Sequence, residues 1–290
     1  MNFDTFVKDI EDNNWCVFGT EVYENGVLTH SWGDTTESLH ELYSATKTVE
    51  SVAVGIAYDR GLIDFNKSIL DYLPKENVEK LSESQTEVFK KVTIQRLLTM
   101  SVDGIPFRAE GDSWIDFALS SKIQNPDDKV FNYNNINVYL VGVALTEILG
   151  EDLGGFIERE IFKPLGITDY EYERGPEGYF YGASQMKLTV HDLSKIGLLL
   201  YNKGMYDGHR IVSEEYVDMA TSIQQMNREG GYGYYIWKYR DGFSINGKWK
   251  QKCYVLPERG IIVTYLSHIE DDSHDLLDSM EKNILGITKE

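Results

Sequence analysis

Residues 42–61, LYSATKTVESVAVGIAYDRG, decide the fold because they show helical spacing, contain no proline and end at a glycine. Val49, Val52 and Ile56 fall on one face of this helix, which is apolar. Since a helix on the surface would carry more charge, we predict an interior helix beside a cavity or a polar layer. Its opposite face holds small polar residues and a single charge: Ser44, Lys47, Thr48, Ser51 and Gly55.

The segments on either side of this helix predict the layers around it. Residues 15–32 form two β-rich runs around Asn25-Gly26, a pair that supplies the positive φ values of a tight hairpin turn. The middle of the chain is mostly helical in pattern, and short aromatic and β-branched runs follow from residue 231. We predict an α/β (α+β) fold with an antiparallel sheet built from both chain ends, flanked by helices. The predicted domains are 1–62 plus 178–290 for the sheet and 63–177 for an inserted helical domain.

The net charge limits the partners of this chain. Its 290 residues include 28 Lys and Arg against 47 Asp and Glu, which gives a formal charge of −19. Nucleic acids and anionic membrane surfaces are bound through an excess of basic residues, so we expect neither as a partner. The 42% of hydrophobic residues is too high for a disordered acidic chain and predicts a large core.

The cysteine and histidine content argues against disulfide and metal chemistry. Cys16 and Cys253 are the two cysteines, and the six histidines lack the spacing of metal ligands. We therefore predict no metal, no cofactor, and two buried, unpaired cysteines in strands. The N-terminus is acidic without the apolar stretch of a signal peptide, and the apolar runs are too short to span a membrane. We expect a cytoplasmic protein.

The chemistry of the predicted helix centres on Ser44-Ala-Thr-Lys47, an S-x-x-K sequence. Residues i and i+3 are neighbours on a helix, so the lysine amine can reach and activate the serine hydroxyl. Such a short motif also occurs by chance, and Ser184 and Ser279 begin two further copies. We select Ser44 because it alone opens a helix with a small polar face. Ser184 falls in a loop and Ser279 on a charged helix where an exposed pair is expected. An incidental Ser–Lys pair is the alternative for Ser44.

A second group, Tyr133-Asn134-Asn135, precedes a helix predicted to begin near Ile136. Asparagine is a favoured N-cap residue, which is enough to explain both asparagines. Tyrosine is less expected there. Beside an ammonium group its ionised form would be favoured, and it could then accept a proton. The group is therefore either a helix cap or part of a catalytic site.

Longer segments around these motifs share the pattern of one known family. They are, in order, LYSATKTVESVAVGIAYDRGLIDFNKSILDYLP, VTIQRLLTMSVDGI, KVFNYNNINVYLVGVALTEILG, IFKPLGITD, LTVHDLSKIGLLLYNKG and YVLPERGIIVTYL. In this order they resemble the serine β-lactamase and penicillin-binding-protein superfamily. The resemblance is strongest to its class C branch, which includes esterases, D-aminopeptidases and 6-aminohexanoate-oligomer hydrolases. It covers about residues 40–267 and implies a β-lactamase/transpeptidase-like fold.

This resemblance implies a role for each residue of the two motifs. Ser44 would attack a carbonyl group and carry the acyl group, and Lys47 would help to deprotonate it. Tyr133 would be the general base that later activates water, and Asn135 would position Lys47 and the substrate amide. The oxyanion hole would consist of the backbone N–H groups of Ser44 and Lys248.

The third motif of the family departs from its usual form in this chain. Ile245-Asn246-Gly247 stands where the family has K-T-G or H-x-G, so no cation occupies the first position. In β-lactam-binding members that cation seats the substrate carboxylate. The resemblance still implies that Ile245, Asn246, Gly247 and Lys248 bind substrate. A strand face with alternating lysines either replaces the missing charge or is simply solvated: Lys248, Lys250 and Lys252.

Six aromatic residues are candidates for the lining of a substrate pocket. Aromatic side chains are equally favoured in strands and cores, so we expect one or two of the six to line it. The candidates are Trp114, Tyr179, Tyr181, Tyr234, Trp237 and Trp249.

Three functions are compatible with these residues. We favour a β-lactamase-related serine hydrolase that acts through a Ser44 acyl-enzyme on a small ester or amide substrate. A true β-lactamase or D,D-peptidase is the first alternative, disfavoured by the missing cation and the missing signal peptide. The second is a catalytically weak or inactive binding or regulatory module, which Ile245, Lys250 and Met100 would suit.

Overall fold

Ten strands form one large sheet and two small ribbons. The computed structural model describes residues 1–287. In chain order the strands are Val17–Glu24 (β1), Val27–Gly33 (β2), His40–Glu41 (β3), Lys187–Leu188 (β4), Met205–Tyr206 (β5), His209–Arg210 (β6), Trp237–Tyr239 (β7), Gly242–Gly247 (β8), Gln251–Leu256 (β9) and Ile261–Ser267 (β10). Six of them form an antiparallel sheet in the order β2-β1-β10-β9-β8-β7. Since β1 pairs with β10, the predicted sheet from both chain ends is confirmed.

The helices surround this sheet and fill the middle of the chain. They are Phe3–Asp12 (α1), Thr46–Asp59 (α2), Lys75–Val78 (α3), Glu83–Phe89 (α4), Ile94–Leu98 (α5), Trp114–Leu119 (α6), Ile136–Leu149 (α7), Leu153–Ile157 (α8), Lys163–Leu165 (α9), Val190–Tyr201 (α10), Glu214–Thr221 (α11) and Asp275–Asn283 (α12). Short 3-10 turns cover Tyr43–Ala45, Ile69–Asp71, Lys248–Lys250 and Pro257–Arg259, and a π-helical turn covers Glu158–Phe162. Within residues 1–287, every helix is too short or too polar to cross a membrane. The boundaries predicted for the two domains stay a prediction.

The N-terminal hairpin follows the sequence prediction. Asn25 and Gly26 have φ values of 51° and 80°, as the tight turn between β1 and β2 requires. Helix α1, which precedes the hairpin, has no counterpart in the prediction. It packs on α12, and Ser279 is buried there and donates a hydrogen bond to Asp9 at 2.6 Å. The prediction that Ser279 is exposed is therefore wrong, because α1 covers that side of α12.

Helix α2 lies in the interior, as predicted, and its residues from Thr46 to Ala57 are all buried. Its small polar side chains bond to an irregular segment before β7. Thr48 donates to the carbonyl oxygen of Tyr235 at 3.2 Å, and Ser51 to that of Tyr234 at 2.6 Å. The prediction of a single charge on α2 within the core is incomplete, because Glu50 is 0% exposed as well.

The two cysteines occupy different environments. Cys253 in β9 is buried, as predicted, and lies against Gly197 of α10, where a Cβ atom would meet its sulfur. Cys16 precedes β1 and is exposed. The predicted burial of Cys16 is wrong because the strand begins one residue later. Both cysteines are free.

Candidate active site

The 3-10 turn Tyr43–Ala45 presents Ser44 just before α2 begins. Tyr43 has a φ of 47°, a left-handed conformation that is uncommon for a residue with a side chain. The end of β8 lies directly beside this turn. A Cβ atom at Gly247 would overlap the carbonyl oxygen of Leu42, so this position requires glycine. The close approach brings the backbone at Gly247 to the nucleophile turn, where half of the predicted oxyanion hole would lie.

The Lys47 amine lies one turn beyond Ser44 and is almost entirely enclosed. Lys47 is 1% exposed, and its Nζ lies 3.1 Å from Ser44 Oγ. The same nitrogen lies 2.8 Å from Asn135 Oδ1 and 2.6 Å from the carbonyl oxygen of Ala183. Those two oxygens are acceptors only. Because a neutral amine can donate to both and still accept the serine proton, the arrangement suits a base.

Asn135 is free to bind Lys47 because its neighbour serves as the cap of α7. Asn134 Oδ1 accepts a hydrogen bond from the backbone N–H of Asn137 at 2.7 Å. Asn135 makes no such cap bond, and its Nδ2 donates to the Tyr181 hydroxyl at 2.9 Å. The sequence left open whether this group is a helix cap or part of a catalytic site. Both hold, because Asn134 caps the helix and Asn135 reaches the site.

Burial controls the protonation of the amine. Desolvation lowers the pKa of Lys47 to about 7, opposed by the charge of Glu50 and assisted by that of Arg108. A lysine in water has a pKa above 10 and is almost fully protonated at neutral pH. Here a substantial fraction is neutral at pH 7, so the amine can take a proton from Ser44.

Tyr133 lies over the amine, but its protonation differs from the prediction. Its ring centroid is 5.1 Å from Lys47 Nζ, and its hydroxyl is hydrogen-bonded to Ser44. Burial raises the pKa of Tyr133 far above its ordinary value, and the bond to Ser44 offsets only part of that. The expected preference for the ionised phenol is wrong, because desolvation favours the neutral phenol and outweighs the bond to Ser44. Tyr133 is a neutral hydroxyl at physiological pH.

The side chains of the third motif, Ile245-Asn246-Gly247, do not all face the region around Ser44. The Ile245 side chain is 0% exposed and belongs to the hydrophobic core, so the predicted contact of this side chain with substrate is wrong. Alternate side chains of a strand point to opposite faces. Asn246 accordingly faces a cavity on the other side, where its buried Oδ1 has no partner among the described residues.

Lys248 and Lys250 do not continue a strand, which corrects the predicted alternation. They belong to the turn Lys248–Lys250 between β8 and β9, where Trp249 and Lys250 have φ values of 57° and 65°. Lys250 forms an ion pair with Asp271 at 2.8 Å, and Lys252 lies in β9. Of the three lysines, Lys248 lines the cavity beside Ser44.

Two cavities lie near the nucleophile turn, and Lys248 lines both. Tyr43 of the turn lines the first, and Gly247, which packs on the turn, lines the second. The first has a volume of about 310 Å³, with aromatic walls from Trp114, Tyr139 and Tyr181. Its charged lining residues are the acidic Glu41 and the basic Arg108 and Lys248. The second, of about 450 Å³, lies over β7 to β9 and includes Asn246, Gly247, Trp237, Trp249 and Lys252.

The aromatic candidates divide between these cavities and the rest of the fold. Trp114 and Tyr181 line the first cavity, and Trp237 and Trp249 the second. Tyr234 is buried in the core, and Tyr179 donates a hydrogen bond to Glu147 outside both cavities. Three further residues near Ser44 were missed: Arg108, Glu41 and Glu50. Arg108 and Glu41 belong to no motif, whereas an acidic residue inside a buried-looking helix was a signal for Glu50.

Metal binding finds no support in this part of the molecule. Within the part of the chain that the structure describes, no three His, Cys, Asp or Glu residues are grouped to hold a metal ion.

Comparison with known proteins identifies relatives of this arrangement. The family model described as Beta-lactamase matches residues 19–282. A protein of Salmonella paratyphi A, named provisionally as a D-alanyl-D-alanine carboxypeptidase, is 21% identical over 241 residues. That match includes 71% of this chain but 55% of the relative, so the chain spans about half the length of the curated relatives it matches.

Solved structures share the fold over nearly the whole chain. A Bacillus anthracis protein named provisionally as a 6-aminohexanoate-dimer hydrolase superposes with a TM-score of 0.79 at 18% identity, covering 97% of this chain and 80% of its own. A family VIII carboxylesterase superposes with a TM-score of 0.77 at 15% identity, covering 98% and 96%. At these identities the likeness establishes the fold, and the chemistry has to be argued from this chain's own residues.

Proposed function

Because the chain belongs to the beta-lactamase family, we propose that it is a serine hydrolase that forms an acyl-enzyme on Ser44 with a small ester or amide. One observation carries this proposal. Lys47 Nζ lies 3.1 Å from Ser44 Oγ, and the other two partners of Nζ are acceptor oxygens. A buried amine held in this way has its lone pair available to the serine hydroxyl.

The proposed reaction proceeds in two stages. In the first, Lys47 takes the hydroxyl proton as the Ser44 oxygen bonds to the substrate carbonyl carbon. The bond to the leaving alcohol or amine breaks, and that group departs with the proton. In the second stage water attacks the carbonyl carbon of the acyl-enzyme, and its proton passes to the amine directly or through the neutral Tyr133 hydroxyl. The bond between the acyl carbon and the Ser44 oxygen then breaks, the amine returns the proton to that oxygen, and the acid product departs. The backbone N–H groups of Ser44 and Lys248 would bind the oxyanion of each tetrahedral intermediate.

The two cavities suit a substrate with a compact acyl part and a separate leaving group. The first cavity is about 310 Å³ and combines aromatic walls with Arg108 and Glu41, so we propose that it holds the acyl part. The second adjoins Gly247 and contains Lys252, which makes no ion pair among the described residues. We propose that it receives the leaving group. Four acidic residues line it beside four lysines, so its lining shows no excess of positive charge.

A true β-lactamase or D,D-peptidase is the weaker candidate. The first position of the third motif holds Ile245, whose side chain lies in the core, so no cation is provided there for a substrate carboxylate. An inactive binding module is weaker still. The contact between Ser44 and Lys47 and the open first cavity are both features that such a module does not require.

Active-site labelling tests the proposal. The protein is incubated with a fluorophosphonate, and separately with a penicillin, and its intact mass is measured beside that of a Ser44→Ala variant. We expect the fluorophosphonate to add one adduct per chain to the wild type and none to Ser44→Ala. A folded wild-type protein that gains no adduct from either reagent would contradict the proposal.

The substrate class is then defined by a panel of p-nitrophenyl esters, D-aminoacyl anilides and a chromogenic cephalosporin. We expect Ser44-dependent turnover of esters or anilides. Cephalosporin turnover well above that of Ser44→Ala would instead favour the β-lactamase.

A further inference from the structure

A carboxyl group that the proposed mechanism does not use lies one helical turn beyond Lys47. Glu50 is 0% exposed, and neither of its carboxyl oxygens has a hydrogen-bond partner in residues 1–287. Buried polar groups are nearly always hydrogen-bonded, because an unsatisfied one costs free energy. A buried and unpartnered carboxyl group therefore calls for a role other than stabilising the fold.

Two glycines make the space that Glu50 occupies. A Cβ atom at Gly182 would overlap Glu50 Oε2, and one at Gly142 of α7 would lie 3.1 Å from it. Gly182 directly precedes Ala183, whose carbonyl oxygen is bound to Lys47 Nζ at 2.6 Å. One backbone segment therefore touches the carboxyl group and also holds the amine.

Glu50 and Lys47 are close enough on α2 for the charge of each to affect the protonation of the other. Residues i and i+3 of a helix lie on neighbouring positions, with about 5–6 Å between their Cβ atoms. Glu50 is the acidic group that acts on Lys47, while Arg108 repels the ammonium form. The titratable groups that face the pair from other elements are Arg108 and Tyr133 beside Lys47, and Tyr216 and Tyr235 beside Glu50.

We propose that Glu50 is a positioning residue that acts through Lys47, with which it shares one proton across a single turn of α2. With the proton on Glu50, Lys47 is a neutral amine, and with the proton on Lys47 the two groups carry opposite charges. They act on each other through this charge and not through a direct hydrogen bond, because the described partners of Lys47 Nζ are Ser44, Asn135 and Ala183. In acylation the neutral amine takes the Ser44 proton and passes it to the leaving group, while Glu50 keeps its own. The part of this inference that concerns catalysis rests on the proposed hydrolase function, whereas the sharing of the proton does not.

The titration of Lys47 tests the inference without any substrate. The protein is labelled with ¹³C at the lysine Cε atoms, and the Lys47 signal is assigned by its absence from Lys47→Met. In the wild type we expect Lys47 to titrate over a broad range, because the charge of ionised Glu50 holds the Lys47 proton to higher pH. In Glu50→Gln we expect a single step with a midpoint lower by about one pH unit, because a neutral amide does not attract the ammonium group. Superimposable curves for the two proteins would overturn the inference.

Further variants separate a charge effect from a structural one. Glu50→Asp keeps the charge and is expected to titrate like the wild type. Glu50→Met removes the charge with similar volume and should reproduce Glu50→Gln, which keeps the test valid if one of the two fails to fold. Glu21→Gln changes a buried carboxyl group of β1 and should leave the Lys47 signal unchanged. A Glu50→Met protein that folds and titrates like the wild type would also overturn the inference.

The fluorophosphonate reaction then connects the titration to catalysis. Its rate, measured against pH, should begin to rise at a pH lower by about one unit in Glu50→Gln than in the wild type, following the Lys47 midpoint. If the Lys47 midpoint shifts in Glu50→Gln but the protein never reacts at Ser44, the shared proton is supported and the hydrolase proposal is contradicted. If Ser44 is labelled normally but the Lys47 midpoint does not shift, the hydrolase proposal is supported and the shared proton is contradicted.

Discussion

Two buried carboxyl groups of this protein have opposite surroundings. Glu21 in β1 is 1% exposed and accepts hydrogen bonds from the Tyr23 hydroxyl and from His191 Nδ1, both at 3.0 Å. Glu50 in α2 is 0% exposed and accepts none within the described part of the chain. Burial raises the pKa of both groups, but in Glu21 hydrogen bonds from His191 and Ser194 outweigh it and lower the pKa.

The difference separates the supporting sheet from the reactive helix. A fully partnered group such as Glu21 keeps one charge state and adds to stability. A buried carboxyl group without partners instead favours its neutral, protonated form. The sheet thus holds a hydrogen-bonded carboxylate, whereas the helix that carries Lys47 holds an unpartnered carboxyl group one turn further on.

Removing the amine should have the largest effect on activity and the opposite effect on stability. We expect Lys47→Met to slow the reaction of Ser44 with a fluorophosphonate by about 10²–10⁴-fold, the usual contribution of a general base. The same variant should melt at a higher temperature than the wild type at pH 6.5.

The sign of that stability change follows from the lowered pKa of Lys47, about 7 in the folded protein. Below pH 7 the amine is charged in both states, so the folded wild type bears the full cost of burying the charge. As pH rises from 7 towards 10.5, the folded protein releases the proton first and the cost disappears. The gain in melting temperature should therefore shrink between pH 6.5 and pH 9. A gain that grows over this range would contradict the argument.

Glu21→Gln in β1 is the matched change in the sheet, and it should lower stability while leaving the labelling of Ser44 unchanged. Glu21→Gln is expected to lower the free energy of unfolding by about 1–3 kcal/mol at pH 7, because it disrupts a buried, charge-assisted set of hydrogen bonds. Since the pKa of Glu21 is lowered on folding, its contribution is present above the unfolded pKa and is lost as pH falls through the folded one. Urea denaturation at pH 7 and pH 3.5 measures both effects. The labelling rate of Ser44 should not change, and a tenfold loss would show that the two regions are not separate.

The pH dependence of acylation should report the amine directly. In the wild type the labelling rate is expected to rise with pH as Lys47 becomes neutral, around its pKa of about 7, and to level off at higher pH. The rise should be more gradual than the roughly tenfold per pH unit of a single uncoupled base. The measurement is the rate of mass increase between pH 5 and pH 9 with a reagent that has no titratable group. A flat profile between pH 5 and pH 8 would exclude Lys47 as the base.

The smallest effect is expected at the partner of Asn135. Tyr181→Phe removes the hydroxyl that accepts a bond from Asn135 Nδ2 at 2.9 Å. Because one hydrogen bond contributes about 1 kcal/mol, we expect labelling to slow by about three- to fivefold. Tyr179→Phe is the control, since its hydroxyl bonds to Glu147 outside both cavities. Equal losses in the two variants would mean that Asn135 does not depend on Tyr181.

Local patterns account for the correct parts of the sequence prediction. The β1–β2 hairpin depends on two turn residues with positive φ, and α2 depends on a period of apolar residues. The contact of Ser44 with Lys47 is also local, because three residues of helix fix the distance between them. The prediction failed at Ser279 and Ile245, where burial is decided by elements distant in sequence, and at Cys16, because β1 begins one residue later than expected.

The sequence by itself therefore determined the N-terminal hairpin, the interior helix α2, and which serine and lysine stand together. Only the tertiary structure decided what those groups can do. Asn135 reaches Lys47 across 88 positions of sequence because Asn134 takes over the cap of α7. Burial leaves Tyr133 protonated and lowers the pKa of Lys47, and it leaves Glu50 without a partner. The physical reason is that protonation depends on loss of water and on the nearest partners, and distant segments of the chain supply both.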